Sequence, residues 1–473
     1  MTDILQNFLD LCAIPRPSGG EGAVVDHLFH ALTAAGYAPE RDQANNLRCL
    51  IPATAGCEAV PGIALQAHTD MVCVAAPGAA YRPGLDPIHT VERGGWLCSD
   101  GQSTLGADNG AAVAVMLALA QRPPRKHGPI LLLFTAAEEQ GLVGVKALRA
   151  DWLNDIQYLI NLDSFQESPA VCGAAGGLRQ CWSRPVEAEQ IPAAQGVQLT
   201  LSGLTGGHSG YDIHLGRGNA ITLLAAFLRT QLCRIHSMTG GSSYNAIPTR
   251  AEAVLLVSDM QGFSTAAADW ARRLHAEYGV TDPGLSASLN DIQEIDQVWS
   301  DAAQREVLHF LTALPQGVLT DFSDGTTADS ANPATLTTDG TSVAVRHFSR
   351  SATRAAQAQA AEHTAALAGA DHFTRIECSA YAPWESAPDS PLLRLVQRCY
   401  RRCRGEALTF RRVHVGLECA LLLEKAPQMQ AVSLGCNIRD AHAITERMEL
   451  RSVARLDELL RDILLTITEE DNK

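Results

Sequence analysis

Five short segments of the sequence carry residue types that bind divalent metals or move protons. In chain order they supply His68 and Asp70, Asp108, the pair Glu138-Glu139, Asp163, and His442. Two imidazoles, two aspartates and one glutamate are enough ligands for two zinc ions. Two carboxylates, those of Asp70 and Glu138, are then left over for hydrogen bonding and proton transfer. This inventory predicts a two-zinc hydrolase that carries its own general base.

The segments around these residues alternate between strand-like and helix-like patterns. Continuous apolar runs predict buried strands at residues 63–67, 129–134 and 157–162. An apolar run rich in alanine predicts a helix at residues 111–121. Strands that alternate with helices imply a mostly parallel sheet covered on both faces. The expected fold class is therefore α/β, with a mostly parallel sheet in the catalytic domain.

The candidate ligands stand where such a sheet collects its ligands. His68, the Glu138-Glu139 pair and Asp163 each come just after a predicted strand, and Asp108 comes just before the apolar helix. Ligands of open α/β sheets bind in the crevice outside the carboxyl ends of the strands. We therefore expect these side chains at one edge of one sheet.

Taken singly, the candidates have ordinary structural explanations. Asp108 could cap a helix, Asp163 could be a turn residue, and a Glu-Glu pair often lies on a solvated helix face. The pair Glu138-Glu139, however, follows a buried apolar strand after only three residues, where two carboxylates are costly without cations. Their joint placement favours the functional interpretation.

The domain organisation follows from a change in composition along the chain. Residues 185–382 contain further strand-like and helix-like stretches, after which a strand at 430–434 leads into the loop that holds His442. The simplest organisation is a catalytic domain made of residues 1–184 and 383–473, interrupted by an inserted domain. That organisation explains how His442 could rejoin ligands from the first third of the chain.

Length and composition restrict the classes of protein that remain. A chain of 473 residues is too long to fold around one hydrophobic core. Its formal net charge of −15 argues against nucleic acid and anionic membranes as partners. The thirteen cysteines are scattered without metal-binding spacing, which is typical of reduced thiols. Neither a signal peptide nor an apolar run long enough to cross a bilayer is evident. We expect a cytoplasmic protein.

Four ordered motifs resemble those of a known family. They are His68-Thr69-Asp70-Met71-Val72, Leu105-Gly106-Ala107-Asp108-Asn109-Gly110, Ala137-Glu138-Glu139-Gln140-Gly141 and Asn161-Leu162-Asp163-Ser164. The chain resembles the co-catalytic zinc exopeptidases, which include glutamate carboxypeptidases, aminoacylases and carnosinases. Within that family it is most similar to the branch of bacterial aminoacyl-histidine dipeptidases, and the resemblance covers essentially the whole chain.

The resemblance implies a role for each candidate ligand. His68 and Asp163 would bind one zinc ion, Glu139 and His442 would bind the other, and Asp108 would bridge both. Such pairs hold their ions roughly 3.5–4 Å apart, with a water between them. Cobalt or manganese are compatible substitutes for zinc with these ligands.

The two remaining carboxylates would serve the ligands and the reaction. Asp70 would hydrogen-bond the imidazole of His68 and fix its orientation. Glu138 would take a proton from the bridging water and deliver it to the departing amine. Metal coordination, which lowers the pKa of water, makes this transfer plausible near neutral pH.

The inserted domain would be an α/β sandwich that acts as a lid. By resemblance, His208 would stabilise the oxyanion of the tetrahedral intermediate. Asn245 and Arg346 match positions that hold the C-terminal carboxylate of the substrate, and a guanidinium suits that bidentate contact. The competing explanation for the glycine-rich loop around His208 is a flexible turn, and for Arg346 it is a surface charge.

Some residues compete for these assignments. Asp440 and Glu446 are carboxylates close to His442 that could be mistaken for ligands, and His414 is the chief rival imidazole. We prefer His442, because the strand before it and the helix after it match the order of the family.

The resulting functional hypothesis is a metal-dependent dipeptidase that hydrolyses short unblocked peptides and favours Xaa-His dipeptides such as carnosine. The alternative is an amidase that deacylates N-acyl amino acids with the same centre, and a third hypothesis is a silent scaffolding protein. Retention of Glu138 and of every ligand argues against the third. The expected partners are a small peptide substrate and a second copy of the chain in a homodimer.

Overall fold

The computed structural model describes residues 2–470. Its α-helices are α1 (Thr2–Cys12), α2 (Gly22–Ala34), α3 (Ala107–Gln121), α4 (Val143–Ala147), α5 (Ala220–Leu228), α6 (Met260–Tyr278), α7 (Asp301–Ala313), α8 (Arg354–Ala370), α9 (Pro391–Arg404), α10 (Glu418–Lys425) and α11 (Leu450–Glu470). Two short 3₁₀ helices lie at Ala150–Leu153 and Ile213–Leu215.

The strands of the first half of the chain are β1 (Glu40–Arg41), β2 (Leu47–Ile51), β3 (Gly62–His68), β4 (Thr90–Arg93), β5 (Trp96–Ser99), β6 (Ile130–Thr135), β7 (Ile156–Ser164), β8 (Ala170–Ala174), β9 (Gly176–Pro185), β10 (Ala188–Ser202) and β11 (Cys233–Gly240). Those of the second half are β12 (Ala251–Val257), β13 (Ser286–Trp299), β14 (Gly317–Asp321), β15 (Thr327–Thr338), β16 (Ser342–Ser351), β17 (Thr374–Tyr381), β18 (Phe410–Val413), β19 (Gln430–Gly435), β20 (Ile438–Arg439) and β21 (Arg447–Glu449).

The chain forms two compact units. The first comprises Met1–Ala174, Ser386–Val413 and Leu417–Lys473, and the second comprises Ala175–Glu385 and His414–Gly416. The first unit contains an eight-stranded sheet in the order β1-β2-β6-β3-β7-β19-β8-β18. Its four central strands, β6, β3, β7 and β19, run parallel to one another. The α/β fold class predicted from the sequence is confirmed, as are the buried strands β3, β6 and β7.

Helix α3 is buried against the sheet of the first unit. Every residue of α3 from Ala107 to Ala120 is buried, and the helix packs against β3, β7, α1 and α11. A helix that is apolar all round belongs inside a protein. Alternate residues of β3, including Ile63 and Leu65, join α3 in the main core, while Gln66 and His68 point to the other face of the sheet.

The second unit contains a nine-stranded antiparallel sheet with helices α5, α6, α7 and α8. Its strand order is β13-β10-β12-β11-β15-β16-β9-β17, and β14 pairs with β15. The four helices contribute to a separate apolar core that includes Phe227, Trp270 and Phe310. Strands and helices in this arrangement agree with the α/β sandwich expected for the inserted segment.

Two further expectations concern the surroundings of the protein. Across residues 2–470, no helix combines the length and the apolar character that a membrane crossing requires. The thirteen cysteines all lie within this range, and each is a free thiol.

Candidate metal centre

The parallel strands of the first unit deliver the candidate ligands to one edge. His68 is the last residue of β3, Asp163 is the last but one residue of β7, and the Glu138-Glu139 pair follows β6 after two residues. Because β3 lies between β6 and β7 in the sheet, the three carboxyl ends are neighbours. The edge predicted from the sequence pattern is therefore the place where these side chains meet.

Asp108 reaches the same edge from the N-terminus of α3. The backbone at Asp108 is not yet helical, and Gly106 before it takes a left-handed conformation with φ of 70°. The buried carboxylate of Glu446 accepts the N–H groups of Leu105, Gly106 and Asp108 at 2.8, 2.8 and 3.1 Å. Glu446, a neighbour of His442 in the sequence, thus holds the loop that presents Asp108.

A first cluster consists of His68, Asp108 and Asp163. Nε2 of His68 lies 3.1 Å from Oδ1 of Asp108 and 3.5 Å from Oδ1 of Asp163. The ligand atoms of the three residues all lie within 4.8 Å of one another, which is a spacing that could hold a metal ion.

A second cluster consists of His442, Asp108 and Glu139. Nε2 of His442 lies 2.9 Å from Oδ2 of Asp108 and 2.6 Å from Oε1 of Glu139. His442 itself adopts a left-handed backbone conformation, with φ of 65°, which is uncommon outside glycine. Asp108 therefore belongs to both clusters and turns one oxygen toward each imidazole.

Asp70 contacts the ring nitrogen of His68 that faces away from the first cluster. Nδ1 of His68 lies 3.1 Å from the backbone oxygen of Asp70 and 3.4 Å from its Oδ1, so Nε2 is left to face the cluster. The Asp70 carboxylate also accepts the hydroxyl of Ser18 and the N–H groups of Glu138 and Glu139. Burial alone would raise the pKa of Asp70, but its hydrogen bonds, above all that with His68, lower it to about 2.

Glu138 lies beside the clusters. One of its oxygens is within 4.8 Å of ligand atoms of His68 and Glu139. Desolvation by the surrounding protein raises the pKa of Glu138 well above its usual value. The positive charge of His68 lowers this pKa, whereas the negative charge of Asp163 raises it. A carboxyl group that holds a proton this readily is suited to accept and release one.

Protons occupy the imidazoles when no metal is bound. Hydrogen bonds to Asp108 and Glu139 raise the pKa of His442 to about 10. Burial would lower the pKa of His68, but its hydrogen bonds to Asp108, Asp163 and Asp70 raise it well above its usual value. Because metal ligands must be deprotonated, a bound cation would replace these protons.

The donor set fits two divalent cations. Each cluster combines an imidazole nitrogen with two carboxylates, a mixture that zinc and its first-row relatives accept. Oε1 of Glu139 is buried and lies 2.6 Å from Nε2 of His442. Buried acidic groups that converge in this way are costly without cations. The first unit thus carries a candidate dinuclear metal site.

His208 lies in a loop of the second unit. Its Nδ1 accepts the backbone N–H groups of Gly210 and Tyr211, both at 3.1 Å. Burial and the positive charge of Arg350 together lower the pKa of His208 to about 4. The ring is therefore neutral at physiological pH, with its proton on Nε2.

Asn245 and Arg346 lie on segments adjacent to that of His208. Ala246 forms a β-bridge with His208, which brings the loop of Asn245 alongside. The guanidinium carbon of Arg346 lies 5.4 Å from the ring centroid of Tyr244. The side chains of Asn245 and Arg346 are both exposed.

A second arginine in this region, Arg350, was not among the residues predicted from the sequence. Arg350 is only 4% exposed and donates a hydrogen bond to the hydroxyl of Tyr381 at 3.2 Å, while its Nε has no partner. Burial lowers the pKa of His414 to about 3, and the positive charge of Arg350 contributes. Arg350 follows Arg346 by four residues on β16, so strand alternation could have identified it.

Comparison with known proteins gives consistent results. The model of peptidase family M20/M25/M40 matches residues 64–466. The cytosol non-specific dipeptidase of Escherichia coli strain K12 is 31% identical over 97% of this chain and 96% of its own length.

Solved structures give the same assignment. The aminoacylhistidine dipeptidase of Vibrio alginolyticus superimposes with a TM-score of 0.86 at 32% identity, covering 98% of this chain and 96% of its own. Human carnosine dipeptidase 1, with a TM-score of 0.51 and 12% identity over 99% of this chain and 96% of its own, shares the fold. The resemblance drawn from the sequence motifs is confirmed. The chain belongs to peptidase family M20/M25/M40.

Proposed function

We propose that this protein is a metal-dependent dipeptidase that hydrolyses short peptides with a free amino terminus. The observation that carries the proposal is the pair of metal-binding clusters joined through Asp108, with the protonatable Glu138 beside them. Paired cations beside a group that can accept a proton are typical of metal-dependent hydrolases such as aminopeptidases.

We assign zinc as the metal of both clusters. His68, Asp163 and one oxygen of Asp108 would hold one ion, and Glu139, His442 and the other oxygen of Asp108 would hold the second. When bound, the ions polarise the carbonyl of the scissile bond and lower the pKa of the attacking water. The mixture of imidazole and carboxylate ligands supports zinc, and cobalt or manganese are possible replacements.

Glu138 is the proton carrier of the proposed reaction. It takes a proton from the attacking water and gives it to the nitrogen of the leaving amino acid as the C–N bond breaks. Asp70 orients His68 through Nδ1, and it fixes the backbone of Glu138 by accepting its N–H group. The same carboxylate thus aligns a ligand and the general base.

We further propose that the second unit acts as a lid. The neutral ring of His208 donates the proton on Nε2 to the developing oxyanion. Asn245 and Arg346 bind the C-terminal carboxylate of the substrate, and Arg350 is a second candidate for this contact. Its buried guanidinium, with an unpaired Nε, supports its inclusion.

The substrate class comes from the relatives. One relative is called a non-specific dipeptidase and another an aminoacylhistidine dipeptidase. These names support dipeptides as the substrates, including Xaa-His dipeptides such as carnosine. The name of the first relative and the free thiols of this chain support a cytoplasmic location. We also propose a homodimer, because edge strand β17 exposes nearly all its residues, among them Ile376 at 63%. Analytical ultracentrifugation tests that state.

The decisive experiment compares a free Xaa-His dipeptide with its N-acetylated counterpart. Each is incubated with the protein in the presence of zinc and, in parallel, of a chelator. Cleavage of the free dipeptide alone, abolished by the chelator, is the expected result. Cleavage of only the acetylated compound would identify a deacylase instead, and hydrolysis that resists the chelator would overturn the role of the metals.

A further inference from the structure

Glu418 is a buried carboxylate that the proposed reaction does not use. It is the first residue of α10, its exposed fraction is 0%, and among residues 2–470 no lysine, arginine or histidine forms an ion pair with it. A buried carboxylate without a cation is costly unless its hydrogen bonds compensate. The burial of Glu418 therefore requires a specific explanation.

The hydrogen bonds of Glu418 lead to the strands that carry the metal ligands. Its Oε2 accepts the side-chain amide of Gln66 on β3 and the hydroxyl of Thr135 at the end of β6. Gln66 stands two residues before His68 on the same face of β3. Thr135 stands three residues before Glu138.

The chain of hydrogen bonds continues to the third strand. Oε1 of Gln66 accepts the side-chain amide of Asn161 on β7 at 2.7 Å. Oδ1 of Asn161 accepts the backbone N–H of Asp163 at 3.2 Å. One carboxylate therefore connects the ends of β3, β6 and β7, the strands that deliver the first metal cluster and the Glu138-Glu139 pair.

We infer that Glu418 is a positioning residue that fixes the spacing of His68 and Asp163 before a metal binds. Residues behind metal ligands orient them, and their loss typically reduces metal affinity by about 10–100-fold. The positive charge of His68 also acts on the pKa of Glu418, which burial raises to about 7, so the carboxyl lies within electrostatic reach of the centre. This inference rests on the proposed metal ligation.

The chemistry of the contact predicts which substitutions are tolerated. Glu418→Gln keeps one oxygen that can accept both Gln66 and Thr135, and its NH₂ group can occupy the place of Oε1, which has no partner in the structure. Glu418→Met has a similar length but cannot accept a hydrogen bond of this strength. Rescue by glutamine therefore distinguishes hydrogen bonding from simple filling of space.

The test measures metal binding rather than hydrolysis. Metal-free wild type, E418Q, E418M and Q66M are titrated with Zn²⁺ against a chromophoric chelator, and the Co²⁺ forms are compared by visible absorption. Glu424→Gln, which removes an exposed charge from the same helix, is the matched control.

We expect one of the two ions to bind about 10–100-fold more weakly in E418M, with a changed cobalt spectrum, and E418Q and E424Q to stay within a few-fold of wild type. Q66M breaks the same chain at its next link and should match E418M, which keeps the test valid if E418M does not fold. Unchanged affinity in E418M or Q66M, beside a wild type that binds two ions, overturns this inference alone. A wild type that binds no ion overturns the proposed function as well.

Discussion

Asp108 gives its two carboxylate oxygens to two different imidazoles. Oδ1 lies 3.1 Å from Nε2 of His68, and Oδ2 lies 2.9 Å from Nε2 of His442. The hydrogen bonds hold the pKa of this buried carboxyl far below its usual value, although burial opposes them. Asp163, in contrast, contacts only the first imidazole, and burial raises its pKa to about 6. The two aspartates should therefore differ in what their removal does.

Substitution of Asp108 by alanine should weaken the binding of both metal ions, because each cluster loses an oxygen ligand. Asp163→Ala is the matched control and should weaken the binding of only the ion that His68 also binds. Equilibrium dialysis followed by elemental analysis gives the occupancy of each variant. Two tightly bound ions in D108A would contradict the shared role of this carboxylate.

Substitution of Glu138 by glutamine should abolish proton transfer and leave the metals in place. General acid–base groups typically contribute 10²–10⁴-fold, so we expect kcat to fall by about that factor. Glu139→Gln provides the comparison, because it should lose metal as well as activity. Steady-state hydrolysis and metal content are measured on the same samples, and full activity in E138Q would disprove the assignment of the base.

At the scale of elements, the junction between a loop and helix α3 depends on Glu446. This carboxylate is buried and accepts three backbone N–H groups, those of Leu105, Gly106 and Asp108, at the start of the helix. A negative charge at a helix N-terminus is favourable, and three amides would otherwise lack partners. Glu446 therefore connects the segment of His442 to the segment of Asp108.

Glu446→Leu should destabilise the metal-free protein by about 1–3 kcal/mol for each amide left unpaired. Glu446→Gln should destabilise the protein less, because the single oxygen of the amide can still accept two of the three N–H groups. Denaturant unfolding of the three proteins, each treated with chelator, provides the measurement. Equal stability of E446L and wild type would show that the amides find other partners.

The elements differ in how well the sequence predicted them. Strands β3, β6 and β7 were predictable, because burial on both faces leaves an uninterrupted apolar pattern. Strand β17 was not, since seven of its eight residues are exposed and its short polar–apolar alternation forms no continuous apolar run. The residues of the candidate site could be named from their motifs, but the contacts of Glu446 and Glu418 could not. Those contacts join positions more than 280 residues apart, which no local pattern encodes.

At the scale of the whole molecule, the metal-free protein should be less stable at alkaline pH. The pKa of His442 is raised to about 10, so its stabilising contribution is complete below about 6.5 and is lost as the pH rises through 10. The pKa of Asp163 is raised to about 6, so its contribution to stability is likewise lost as the pH rises from about 4 to 6. Thermal unfolding of chelator-treated protein should therefore give a lower Tm at pH 9 than at pH 6.5.

His442→Asn is the control for that pH dependence. It removes the titrating group, so the difference in Tm between the two pH values should become smaller. Added zinc should reverse the trend of the wild type, because metal binding releases protons and strengthens as the pH rises. A metal-free wild type that gains stability from pH 6.5 to 9 would contradict the protonated imidazoles inferred for this state.

Strand β19 occupies an interior position in the sheet of the first unit, between β7 and β8, although it begins only at Gln430. The growing polypeptide therefore emerges from the ribosome with a gap in this sheet, and the loop of His442 follows β19 only a few residues later. Pairings across such long stretches of sequence form slowly. The second metal cluster therefore lacks its imidazole until this late segment of the chain has been made.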